Sequence, residues 1–280
     1  EMCIRDSQYT CFHVRKRSGG FRYISAPAGD FRSMQQTIYH RILLLANIHP
    51  AVTGFCPGKS VSDNARVHLG RKNVLKVDLH DFFPSIRSPR VRAAFREMGY
   101  SRPIAKVLAE LCCLRCCLPQ GAPTSPALSN IIAYPMDKKM MALAGEYGLV
   151  YTRYADDLTF SGDYLSKDEV LVRIHRIIRE EGFTMNVKKT RFLSGHKRKI
   201  ITGVSVSSGK KMTLPKVKKR EIRKNVHYVL TKGLVGHQEH IGSTDPIYLK
   251  RLLGSLCYWR SIEPDNRYVS DSITALKRLM

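Results

Sequence analysis

The stretch Leu149-Val150-Tyr151-Thr152-Arg153-Tyr154-Ala155-Asp156-Asp157-Leu158-Thr159-Phe160 decides how the rest of the chain is read. It is rich in Tyr, Val and Thr and is split by Ala155-Asp156-Asp157, which predicts a β-hairpin with acids at its tip. On their own, two adjacent acids do no more than start a turn. A third acid changes that: Asp78 ends the apolar part of a β-type run over residues 73–79, which continues as Leu79-His80-Asp81-Phe82-Phe83-Pro84. Carboxylates clustered beside apolar strands are costly unless something neutralises them. Mg²⁺ is the natural partner, because it takes one or two carboxylates and lets substrate phosphates complete its shell. Two such ions about 4 Å apart stabilise both the attacking and the leaving oxygen of phosphoryl transfer.

Composition points to a polyanionic partner. The 280 residues hold 47 Lys and Arg against 23 Asp and Glu, a net charge of +24. A surface so one-sided repels itself unless it meets a polyanion, and phosphate backbones are the commonest. Hydrophobic residues at 43% and charged residues at 25% exclude a mainly disordered chain. The length suits one large domain or two to three subdomains. No run approaches the roughly 18 apolar residues of a membrane helix, and the first 25 residues contain no apolar secretory segment. No membrane partner is expected. Of eight cysteines, Cys112, Cys113, Cys116 and Cys117 form i,i+4 pairs in a predicted helix. With no second ligand cluster to complete a zinc site, a buried, reduced helix face is expected, which implies a reducing cytosol.

Pattern shifts organise the chain. A hairpin is expected over residues 12–26 around Ser18-Gly19-Gly20, with Arg15, Lys16, Arg17 and Arg22 beside the turn. Apolar spacing predicts helices over 33–47, 61–69, 88–98, 102–117, 127–145 and 167–181, with a strand near 191. Leu118-Pro119-Gln120-Gly121-Ala122-Pro123 cannot enter a regular element, and Ser125-Pro126 is a helix start. Ile200, Thr202, Val204 and Val206 alternate into a second hairpin turning at Ser207-Ser208-Gly209. From 215 onward the chain reads as helical, with breaks near 242–245 and 263–266. Between Asn186 and Lys224 there are 14 Lys and Arg against one acid, Glu221, as suits a groove that tracks phosphates.

Asp78, a Gln-Gly loop, then Tyr154-Ala155-Asp156-Asp157 in a β-rich segment form an ordered set that resembles the reverse transcriptases over about residues 12–260. By that resemblance Asp78, Asp156 and Asp157 are the catalytic acids and ligands of two Mg²⁺ ions. Phe83, five residues after Asp78, matches the aromatic that excludes a ribose 2′-OH. Gln120 and Gly121 match the turn along template and incoming nucleotide. Lys189, in Asn186-x-x-Lys189-Thr190, matches a candidate acid for the departing pyrophosphate. Arg22 and Lys16 match the residues that hold the triphosphate. Asn64-Ala65-Arg66-Val67-His68 and Ile201-Thr202-Gly203 resemble the retron signatures Asn-Ala-x-x-His and Val-Thr-Gly, the latter with one conservative change.

The resemblance implies an α+β right-hand polymerase: fingers from 1–60 and 88–120, an antiparallel-sheet palm with helices from 61–87 and 121–208, and a helical thumb from 209–280. It implies a bacterial, cytoplasmic enzyme that copies part of a structured non-coding RNA with dNTPs into single-stranded DNA joined to that RNA. An RNA-binding surface is expected at Asn64, His68, Thr202, Gly203, Lys210, Lys211, Lys218, Lys219, Arg220 and Arg223. No stretch remains for an RNase H, endonuclease or maturase domain, so a host RNase H would remove template from the RNA–DNA hybrid, and a retron effector in anti-phage defence is a further expected partner. Two alternatives stay open: another bacterial reverse transcriptase of group II intron, diversity-generating or defence type, and a catalytically silent RNA-binding scaffold.

Overall fold

The β-type runs become three antiparallel sheets in the computed structural model, which describes residues 8–16, 19–195 and 197–280. Arg17 and Ser18 of the expected hairpin turn, and Cys3 of the eight cysteines, lie outside the described residues. β1 (Tyr9–Arg15) pairs with β2 (Phe21–Pro27). β3 (Asn73–Asp78), β4 (Val150–Tyr154), β5 (Asp157–Gly162) and β6 (Arg191–Leu193) form a sheet ordered β4-β5-β3-β6. β7 (Ile200–Ile201) and β8 (Val204–Ser205) make the third.

The helices follow the apolar spacing, with three corrections. α1 (Gly29–Arg41), α2 (Val61–Arg66), the single-turn α3 (Phe82–Ser85), α4 (Ser88–Glu97) and α5 (Arg102–Cys112) precede the Gln-Gly loop. The helix expected to run to 117 stops at Cys112, because Arg115 (φ 49°) and Cys116 (φ 60°) are left-handed and turn the chain between Leu114 and Cys117. The four cysteines therefore share no helix face. Cys112 and Cys113 are buried, with thiols pushed up to about 12 by burial, whereas Cys116 is exposed. The helix expected over 127–145 is two, α6 (Ser125–Ile132) and α7 (Tyr134–Glu146), since Pro135 cannot donate into a continuous ladder. α8 (Lys167–Glu180) follows. Third, the hairpin after Ile200 already turns at Thr202-Gly203, both left-handed (φ 46° and 84°), and the chain reverses again so that Ser205 pairs with Thr213.

Chain contacts divide these elements into two compact units: residues up to 60 with 72–195, and 61–71 with 196–280. In the first, β3 and β5 are the two interior strands; Leu75 and Val77, with Leu158 and Phe160 of β5, pack against Met136 and Met140 of α7 and Ile174 and Ile178 of α8. Each such fully buried side chain contributes roughly 1.5–3 kcal/mol. In the second, α9 (Lys216–Ile241), α10 (Tyr248–Ile262) and α11 (Arg267–Lys277) pack together around Val226, Leu256, Trp259 and Leu276. Gly233 (φ 75°) kinks α9.

Candidate active site

Pairing of β3 with β5 brings the three acids to one end of the sheet. Asp78 lies directly opposite Asp157, and the two-residue turn before Asp157 carries Asp156. Backbone bonds lock this end from both sides. The Leu79 N–H donates to the Asp156 carbonyl at 2.9 Å, and the Asn186 N–H donates to the Asp78 carbonyl at 2.7 Å. The turn is strained: Ala155 sits at φ 56°, a left-handed geometry that costs a non-glycine residue about 1–3 kcal/mol and persists only where its surroundings over-determine it.

Those surroundings lie behind the sheet. Arg153 is fully buried and grips Asp137 of α7 with two parallel bonds, Nε to Oδ1 at 2.8 Å and Nη2 to Oδ2 at 2.7 Å. Its Nη1 donates to the Ala155 carbonyl at 3.0 Å and to Asn130 Oδ1 at 3.1 Å. Tyr151 donates its hydroxyl to Asp137 Oδ1 at 2.7 Å. Asn130 in turn donates to the Gly54 carbonyl at 2.9 Å, and Thr53 and Ala51 pair with the Arg153 backbone. A Cβ at Gly54 would meet the Ala155 nitrogen at 2.5 Å, so only glycine lets this loop lie against the turn.

In front, charge is unbalanced. The Asp156 carboxyl is pushed above its usual range by burial, then by Asp157 and Asp78. Burial also raises Asp157, with Asp78 adding to the rise and Lys76 opposing it. Lys189 places its ammonium 3.0 Å from both Asp78 oxygens, a cation already standing beside the acids. This donor set fits Mg²⁺. Among the described residues no three His, Cys, Asp or Glu side chains form a ready cage, and Mg²⁺ commonly takes one or two carboxylates and leaves the rest of its shell to water and substrate phosphate.

Before the acids opens a cavity of about 1080 Å³, lined among others by Lys16, Arg22, Phe83, Gln120, Asp156 and Lys189. Phe82, by contrast, is buried against Phe183. Gly121 does not line the cavity; a Cβ there would meet the Ser25 carbonyl oxygen at 2.8 Å, so Gly121 lets β2 approach and the Ser25 N–H bond the Gln120 carbonyl at 2.7 Å. Phe55, missed in the sequence because it sits in a Gly/Pro loop, lines the same cavity against Phe83 and Tyr154.

The expected RNA-contacting residues all belong to the second unit, and they divide. Asn64 and His68 are fully buried, and His68 lies beyond the end of α2, so they form neither an exposed contact nor a shared helix face. Instead Asn64 Nδ2 donates to Thr202 Oγ1 at 3.4 Å, and Thr202 Oγ1 donates to the Val61 carbonyl at 3.0 Å, joining the two retron-like stretches. Gly203 is exposed beside Thr202. Lys219 pairs with Glu263 at 2.6 Å, and Arg223 lies over Trp259 and Tyr268, so both brace α9 against α10 and α11. Burial acts to raise the Glu263 carboxyl, but hydrogen bonds from Lys219 and the Leu214 N–H outweigh it and hold the carboxyl below its usual range. Lys218 pairs with Glu221 at 3.0 Å, and Lys210, Lys211 and Arg220 are exposed.

Comparison with known proteins follows this geometry. The family described as reverse transcriptase (RNA-dependent DNA polymerase) matches residues 14–229. The chain is 35% identical to the retron Mx65 reverse transcriptase of Myxococcus xanthus, over 93% of this chain and 63% of that protein. It is also 35% identical to the retron Ec86 reverse transcriptase of Escherichia coli, over 84% of this chain and 74% of the relative. The chain thus spans under two thirds of the Mx65 relative's length. Among solved structures, apo telomerase from Candida tropicalis matches with a TM-score of 0.55 at 13% identity, covering 97% of this chain and 56% of that one. Telomerase from the same organism in complex with a fragment of telomeric RNA matches with a TM-score of 0.52 at 13% identity, covering 98% and 53%. At that identity the likeness speaks for the fold, that of the right-hand polymerases. With the three acids, their order in the chain and these relatives together, the chain belongs to the reverse transcriptase family, and within it to the retron type.

Proposed function

We propose that this chain is an RNA-directed DNA polymerase that copies part of a structured non-coding RNA into single-stranded DNA joined to that RNA. The observation that carries the reading is the facing of Asp78 and Asp157 across β3 and β5, with Asp156 on the adjoining turn. Asp156 and Asp157, pushed above the usual carboxylate range by burial and then by a neighbouring acid, are a standing cost, and a catalytically silent scaffold would gain nothing from keeping them. Asp78, Asp156 and Asp157 would hold two Mg²⁺ ions, which when bound supply charge for the attacking 3′-hydroxyl and the leaving phosphate.

The chain's own residues do the rest. Lys16 and Arg22, on the cavity wall, grip the triphosphate of an incoming dNTP. Phe83 closes the space a ribose 2′-OH would need, and Gln120 lies along the template. Lys189, whose ammonium lies beside Asp78, holds a proton for the departing pyrophosphate. Fingers (1–60 and 88–120), palm (61–87 and 121–208) and thumb (209–280) remain the subdivision we favour, with the basic residues Lys210, Lys211, Lys218 and Arg220 and the Thr202-Gly203 turn toward the cognate RNA. In this reading the chain works in a bacterial cytoplasm, leaves template removal to a host RNase H, and serves anti-phage defence with an effector.

The test is to express the chain with its flanking genomic DNA and sequence the nucleic acid that co-purifies. A discrete single-stranded DNA joined to RNA through a 2′ linkage, absent from an Asp156→Ala variant, is the expected result. DNA without the branched joint would reject the retron product, and RNA alone from both forms would reject the polymerase if generic primer extension also fails.

A further inference from the structure

The loop over residues 50–59 is braced beyond what a connection needs. The Thr53 N–H donates to the Arg153 carbonyl at 2.9 Å, and the Arg153 N–H donates to the Ala51 carbonyl at 3.0 Å. Lys59 Nζ donates to the carbonyls of Pro50 and Val52, both at 2.8 Å. Asn130 holds the Gly54 carbonyl at 2.9 Å, and Gly54 itself lies against the Ala155 nitrogen. What this bracing holds out is Phe55. Its backbone is left-handed, at φ 60°, where glycine is at ease and phenylalanine is strained. Such a geometry persists only where the surroundings over-determine it. The Phe55 side chain is 40% exposed and lies on the wall of the large cavity. There its ring meets Phe83, with centroids 6.0 Å apart, and Tyr154, at 6.4 Å. The other ring beside Phe83 is Phe82, 5.7 Å away, which is buried against Phe183. Phe83 belongs to the single-turn helix α3, which sets its backbone and leaves the ring to be fixed by packing.

We infer that Phe55 is a positioning residue for sugar selection, holding the Phe83 ring in the orientation that closes the space of a ribose 2′-OH. The inference rests on the reading of Phe83 given above. Without the Phe55 ring, Phe83 keeps Phe82 on one side and borders open cavity where Phe55 now stands. A steric wall rejects an added hydroxyl only as far as the wall cannot give way, and a ring free to change rotamer gives way. A strained phenylalanine at a position that glycine would occupy without strain is thus explained by its ring and not by its backbone.

The test measures single-nucleotide incorporation on a primed RNA with a dNTP and with the matching rNTP, and reads the ratio of their kcat/KM values. Phe83→Val is the reference and is expected to raise rNTP use relative to dNTP about tenfold or more. Phe55→Gly also relieves the left-handed backbone, and Phe55→Leu keeps a side chain but no ring. Both are expected to raise relative rNTP use several-fold, whereas Phe55→Tyr keeps wild-type selectivity. Adding Phe55→Gly to Phe83→Val is expected to change selectivity no further, because Phe55 acts through Phe83. Unchanged selectivity in Phe55→Gly and Phe55→Leu, beside a relaxed Phe83→Val, would overturn this inference alone. Equal losses with dNTP and rNTP would also overturn it, by making Phe55 a support for the turn after Tyr154. Effects of the two sites that multiply would overturn it too, by making Phe55 a direct contact of the nucleotide. Unchanged selectivity in Phe83→Val would overturn the reading of Phe83 and this inference with it. Failure of the wild-type protein to extend any primer would overturn the polymerase reading as well.

Discussion

Two ion pairs stand on opposite faces of the same sheet. Behind the sheet, Arg153 and Asp137 are 2.7 Å apart and neither side chain is exposed at all. In front, Lys189 and Asp78 are 3.0 Å apart, with the lysine side chain 60% exposed. The geometries are similar, but the surroundings make them different devices. The rear pair is satisfied on every side by Tyr151, Asn130 and the Ala155 carbonyl, and is fixed. The front pair joins a nearly buried Asp78 to a lysine that reaches it from solvent, so the cation is the exchangeable member. Rigid support behind and exchangeable charge in front are what a preorganised metal-dependent site requires.

The comparison is most sharply tested at the front. Asp156→Asn should lower polymerisation by several kcal/mol of transition-state stabilisation, on the order of 10³-fold, in a primer-extension assay. The same change should raise the melting temperature, because it removes a carboxylate that burial and Asp157 disfavour. Loss of activity together with loss of stability would contradict this account of the acids.

At the rear, Arg153→Met leaves Asp137 charged and buried without its partner and should cost about 3–5 kcal/mol in urea unfolding. The double variant Arg153→Met/Asp137→Leu should recover much of that stability but not the activity, because the Ala155 carbonyl stays unsupported. Recovery of both would show that the fork only stabilises.

The second unit offers the same intolerance of buried charge at His68, whose pKa is lowered to about 4 by burial and by Arg71. The unfolded chain takes up this proton near pH 6.5 and the folded chain resists until about 4. Stability is therefore full above that window and falls as pH drops through it, by about 3 kcal/mol at most. Subtracting the unfolding profile of a His68→Asn variant should isolate this slope. The smallest effect belongs to the solvent-exposed Lys189: Lys189→Ala should change stability by no more than about 1 kcal/mol, measured by the same unfolding titration.

What the sequence made legible follows from locality. Asp78 stands at the end of one β-type run and Asp156 and Asp157 at the tip of a predicted hairpin, and their order with the Gln-Gly loop made them legible as one set, while their facing came only with the pairing of β3 and β5. Arg153 read as one more polar strand residue, since its partners Asp137 and Asn130 lie in helices whose packing no local pattern reveals. Phe55 was hidden in a loop whose glycine is explained only by the Ala155 nitrogen it must approach. The break at Cys112 had no glycine to announce it, because Arg115 and Cys116 take left-handed geometry themselves. Asn64 and His68 were legible as a signature but not as interior residues, because a helix of six residues leaves too short a pattern to show which side is covered.

The most direct measurement is Mg²⁺-dependent dNTP incorporation on a primed RNA by the purified chain, beside Asp78→Asn and Asp156→Asn. Template-directed extension by the wild-type protein, lost in both variants and on chelation, is the predicted result. Extension that survives either substitution, or none by the wild-type protein on generic or cognate RNA, would contradict the assignment of these acids as the catalytic centre.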